Sequence, residues 1–118
     1  MDIMLEKLKD YGADVDGAMG RFLDDIPLYK TCFLAFLNDE AFINLGIALI
    51  AKDYKSAFEY AHTLKGITGN MGLTPLYQLI CSIVEALRNN EYSDLQASYV
   101  EVRKQLEVLN KIYSSFNS

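Results

Sequence analysis

His62 is the only histidine of the chain, and it stands in the stretch "AHTLKGITGNMG" (61–72) with Lys65 three residues on and three of the seven glycines. On a helix, where each residue turns by about 100°, Lys55, Phe58, Glu59, Lys65, Gly66 and Gly69 share the face of His62. Tyr60, Leu64, Ile67 and Met71 cluster on the opposite face, flanked by Ala57, Ala61 and Thr68. The apolar face is the one that seeks the core, so His62 points away from it. A glycine within a helix costs about 0.5–1 kcal/mol relative to alanine, so two of them on one face imply a need for space. Gly66 and Gly69 leave the imidazole clear of its own helix, open to another protein's backbone or to a bulky group on the ring. Facing away from the core, the pair is not expected to serve close packing between helices.

The chemistry open to this face is narrow. Zinc takes three or four protein ligands, and there is no second histidine or cysteine pair at ligand spacing. Ser56 and Thr63 lie about 100–120° around the helix from His62. No other histidine could serve either of them as a base. There is no Gly-rich phosphate loop, so the chain is not expected to bind ATP for itself. What remains is histidine as nucleophile. A neutral imidazole takes a phosphoryl group on one ring nitrogen, and Lys65 offsets the added negative charge. Phe58 offers an apolar surface beside the ring.

The elements that must position this face are helices, because 3.6-residue periodicity recurs along the chain and no segment alternates long enough for a strand. Asp53 is placed to cap a helix from Tyr54 to about Met71, which Gly72 ends in the left-handed conformation. "TPLYQLICSIVEAL" starts the next helix with Thr74 as N-cap and Pro75 at the first position, burying Leu76, Leu79, Ile80, Ile83 and Leu87. "SDLQ" (93–96) reads as a capping box for a last helix whose inner positions are Leu95, Tyr99, Val102, Leu106, Leu109, Tyr113 and Phe116. Upstream lie two apolar segments, 27–37 and 40–51, as two helices or one bent one. Two short helical pieces, about 2–10 and 15–23, precede them. Short connections favour antiparallel neighbours. The predicted fold is all-α: an up-and-down antiparallel four-helix bundle with a core of about 27–116 and short N-terminal helices (1–24) against it.

With 118 residues and 51% apolar content the chain is expected to form a single domain, 1–118, that needs no staple. Its net charge is −5, its pI is about 4.7 and its eleven basic residues are scattered, which argues against nucleic acid or an anionic membrane as partner. Proteins are the expected partners. Cys32 and Cys81 fall inside apolar helical patterns and read as reduced core thiols, which fits a cytoplasmic location. The N-terminus has no apolar signal core, and the run 41–51 is too short to span a bilayer.

The segment "HTLKGITGNMGLTPL" (62–76) resembles the signature of histidine-containing phosphotransfer (HPt) domains. The signature runs His, any, Leu, Lys, Gly, then a glycine about six residues on and a leucine about four beyond, here His62, Leu64, Lys65, Gly66, Gly72 and Leu76. The likeness extends more loosely over 14–113. It implies a phosphorelay intermediate in which His62 accepts a phosphoryl group on Nε2 from the aspartate of a receiver domain, as in a hybrid sensor histidine kinase. His62 would then pass the group to a response-regulator receiver. By the same resemblance Lys65 steadies the phosphoryl group and Gly66 admits the receiver's active-site loops. The expected docking face comprises Phe58, Gly66, Gly69, Lys55 and Glu59. The domain would be a monomeric carrier without kinase activity or cofactor of its own, the receiver bringing magnesium. One position departs from the pattern: where the family often places a Gln or Glu to hold Nδ1, this chain has Val84, with Glu85, Gln78, Cys81 and Ser82 nearby. The alternative reading is a non-phosphorylated helical binding module that docks receivers. A third is the phosphotransfer portion of a larger chemotaxis-type kinase, against which the start at Met1 and the polar "SSFNS" tail favour a stand-alone protein.

Overall fold

The structure, a computed structural model, describes residues 2–117. They form seven helices: α1 (Ile3–Tyr11), α2 (Val15–Arg21), α3 (Ile26–Leu37), α4 (Ala41–Ile50), α5 (Tyr54–Asn70), α6 (Thr74–Arg88) and α7 (Leu95–Asn117). The described residues contain no strand, so the fold is all-α as expected. The apolar stretch 27–51 is two helices. Ile26–Ile50 taken together is apolar and long enough to cross a membrane, but the break at Asn38 leaves helices of 12 and 10 residues. Each alone is shorter than the roughly 20 residues that a bilayer requires.

Four of the helices are opened by an aspartate whose carboxylate accepts from the backbone three residues on: Asp2 from Leu5, Asp14 from Gly17, Asp25 from Leu28 and Asp53 from Ser56. Each satisfies one of the amides that a helix start leaves without a partner. The two starts read differently from the sequence are α6 and α7. Leu73 occupies the cap of α6, and Thr74 is already helical, its hydroxyl donating to the Gly72 carbonyl (3.4 Å). The capping box at Ser93 is not formed. Asp94 supplies the carbonyl for the first helical bond, from Ser98, which sets the start one residue later than the box requires.

Helix α5 packs on both α4 and α6, and α7 lies against α6, α1, α3 and α4. Gly69 meets Tyr77 near one end of the α5–α6 pair and Phe58 meets Arg88 near the other, so these two helices run antiparallel. Because α5 is flanked on two sides, its buried residues are Ala57, Ala61, Leu64 and Thr68, whereas Tyr60 and Ile67, expected in the core, are only half-buried. Small side chains let the neighbours approach, and the larger ones are displaced to the edge of the seam. On α6 Val84 is buried, whereas Leu79, expected in the core, is only half-buried. Phe116 is exposed: α7 has 23 residues against 15 for α6, and its last turns outrun their neighbours. Cys32 and Cys81 are free thiols, half-buried rather than enclosed in the core.

Candidate functional site

Helix α5 carries His62 outward, as its wheel predicts, and the imidazole is exposed. The Phe58 ring, one turn earlier, lies 5.9 Å from it, centroid to centroid, at 32°. Among the described residues no hydrogen bond engages either ring nitrogen. On the other side of His62 opens a groove of about 700 Å³ lined by Lys65, Gly66, Gly69, Tyr77 and Arg21, among others. Of the residues predicted for the site, the structure therefore brings His62, Lys65, Gly66 and Gly69 to one groove, while Phe58 meets His62 without lining the groove. Lys55 and Glu59 are exposed on earlier turns and do not line it.

The two glycines beside His62 differ in what they do. A methyl group built on Gly66 would meet nothing within 4 Å, so that glycine leaves open space next to the imidazole. One built on Gly69 would lie 3.0 Å from Cε1 of Tyr77. Gly69 thus lets α6 approach α5, contrary to the expectation that neither glycine serves packing. The neighbouring Cys81 thiol pushes the Tyr77 phenol above its ordinary value.

The end of the histidine helix is held by the N-terminal segment. Arg21, at the end of α2, donates from Nε to the Asn70 carbonyl (2.9 Å) and from a terminal nitrogen to that of Gly69 (3.0 Å). The Tyr29 hydroxyl donates to the Met71 carbonyl (2.8 Å), and the Asp14 amide donates to that of Gly72 (2.8 Å). Four successive carbonyls, from the last turn of α5 through Gly72 just beyond its cap, thus receive bonds from three residues of the chain's first quarter. Burial pushes the Tyr29 phenol up, partly offset by the Arg21 charge, which keeps it protonated and donating.

Val84 is fully buried and offers the imidazole no polar atom. Two of the polar residues near it on α6 are engaged elsewhere: Glu85 pairs with Arg88 and Ser82 donates to the Gln78 carbonyl (3.1 Å). Arg88 in turn lies over the Phe58 ring, 5.6 Å from its centroid, within cation–π range. Sequence reasoning missed Arg21, Tyr77 and Arg88 at this site. Tyr77 was within reach of it, since a tight turn at Gly72 folds the start of α6 back along Gly69. Arg21 had no signal, because no periodicity within α5 reports a contact from a helix some 50 positions earlier.

The family model of the Hpt domain matches residues 36–111, more than half of the chain, and the chain belongs to that family. Hpt domains are phosphocarrier modules of two-component signalling that interact with receiver domains and are not kinases. No curated protein and no solved structure matches the chain. The matched region begins within α3 and ends within α7, so α1 and α2, including Arg21, precede it.

Proposed function

We propose that His62 is the phosphoacceptor of a phosphorelay intermediate, taking its phosphoryl group from a receiver aspartate and delivering it to the receiver of a response regulator. The observation that carries this reading is an exposed imidazole, its nitrogens unengaged, beside the open space at Gly66. In the forward step the Nε2 lone pair forms a bond to phosphorus while the acyl-phosphate P–O bond breaks and the aspartate leaves as carboxylate; the return step reverses it. Lys65, lining the groove, lies where its ammonium can follow the charge onto the ring. Phosphoryl transfer passes through a loose transition state, so the chain's contribution is to present an oriented nucleophile. The receiver brings magnesium and the acidic groups. Helices α4–α7 serve as the antiparallel four-helix bundle that holds His62 still, with α1–α3 packed against it in one domain. The carrier acts as a cytoplasmic monomer, docking over less than about 1,200 Å².

The test is to mix the protein with receiver domains preloaded with phosphate and to look for acid-labile, alkali-stable phosphate. Uptake by the native chain and none by His62→Gln is expected; equal labelling of the two would overturn the assignment. A second reading is favoured by one observation, the burial of Val84 where a polar side chain would hold Nδ1. On that reading the chain docks receivers without accepting phosphate, and His62→Gln binds them as tightly as the native protein.

A further inference from the structure

We propose that α2 forms the second wall of the receiver-docking groove and that Arg21 on it reads a carboxylate-bearing loop of the receiver. This rests on the phosphorelay reading of His62 and adds the residue that selects the partner's chemistry.

The first ground is charge. The chain as a whole carries −5, yet the side chains of Asp, Glu, Lys, Arg or His type lining the groove are Arg21, Lys65, His62 and Asp14. Asp14 is turned to its own helix, accepting from the Gly17 amide (3.1 Å). Arg21 and Lys65 against the one carboxylate leave the groove net positive, a local reversal of the overall sign. A receiver holding an aspartyl phosphate, and the carboxylates that bind its metal, presents an acidic mouth. Opposite fields of this kind steer encounter and reject partners of the wrong sign.

The second ground is how Arg21 is held. Its guanidinium has five N–H donors in a fixed fork. The bonds to Gly69 and Asn70 fix the group at the mouth of the groove while leaving further donors there unused. A carboxylate approaching that fork meets a cation already ordered, so little side-chain entropy remains to be lost on docking. Asp14 and Gly72 prevent α2 from drifting, since the backbone bond between them ties the start of α2 to the end of α5. The wall and the nucleophile therefore move as one body.

The experiment measures the second-order rate of transfer from purified receiver domains, loaded with acetyl phosphate and magnesium, at a series of salt concentrations. Native protein, Arg21→Lys, Arg21→Gln and Arg21→Glu are compared, with melting temperature and chemical labelling of His62 by phosphoramidate as controls. In that control the Nε2–P bond forms as the P–N bond of phosphoramidate breaks and ammonia leaves, with no receiver involved. The expected result is transfer slowed about tenfold or more in Arg21→Glu, with a flattened salt dependence, and intermediate losses in Arg21→Gln and Arg21→Lys, the lysine keeping the charge and its salt dependence but not the fork. Phosphoramidate labelling should be unchanged in all four. Native transfer rates in Arg21→Glu would overturn the proposal, as would labelling that falls in step with transfer, because Arg21 would then act only through the shape of α5. Failure of the phosphorelay reading itself looks different: the native protein then takes phosphate from no receiver at any salt, and the proposal falls with it.

Discussion

Gly72 lies so close to Asp14 that a methyl group on it would sit 2.6 Å from the Asp14 carbonyl oxygen, and its φ of +73° is one that side chains resist. Gly66, six residues earlier, has nothing within 4 Å of the same position. Alanine at the two sites should therefore act in opposite directions. Gly72→Ala costs at least about 1–2 kcal/mol for the left-handed backbone alone, before the clash. Gly66→Ala should gain about 0.5–1 kcal/mol from the helix and yet slow transfer from receivers. Urea unfolding and transfer rates on the same two proteins check both halves.

Gly69→Ala presses on the Tyr77 ring, whose Cε1 would be 3.0 Å away. The ring is the far end of a half-buried side chain and is able to give, so a loss smaller than that of Gly72→Ala is expected. In a double-mutant cycle with Tyr77→Ala the two changes should couple by about 0.5 kcal/mol or more. Strict additivity in thermal melts would show that the contact carries no energy.

Tyr29→Phe removes one oxygen from a fully packed position and leaves the buried Met71 carbonyl without its 2.8 Å partner. A loss of about 1–3 kcal/mol is expected, the range for stranding a buried polar group. Its consequence should reach the site, because Met71 ends the helix of His62. Hydrogen exchange of the last-turn amides of α5 should quicken more than that of α7.

Asp2 pairs with Lys30 at 2.8 Å, both side chains being largely covered. Burial alone would raise its carboxyl, but the bonds from Lys30 and the Leu5 amide outweigh that and hold it below the ordinary 3.8. Since the folded value lies under the unfolded one, the pair contributes fully above about pH 4 and its contribution is lost as pH falls through the folded value. Asp2→Asn should therefore be less stable than the native protein at pH 7, with the difference closing in denaturant titrations carried down to about pH 3.

The all-helical fold and the outward face of His62 are determined by the sequence because both follow from local periodicity: one apolar stripe on α5 fixes what the opposite face must do. Asp53 and Gly72 were legible for the same reason, each acting on its own turn of backbone. Whether a glycine empties a space or fills one is different. Gly66 and Gly69 share a face and a residue type, and only the position of Tyr77 on α6 separates them. The same holds for Tyr60 and Ile67, moved to the edge of the core by helices on both sides of α5, and for the capping box at Ser93, where the start of α7 falls one residue later. Arg21 is the extreme case, reaching the end of the histidine helix from 48 and 49 residues away. Local patterns specify which way a side chain points relative to its own helix axis; what it meets there depends on the packing of the other helices, and only the tertiary structure decides that.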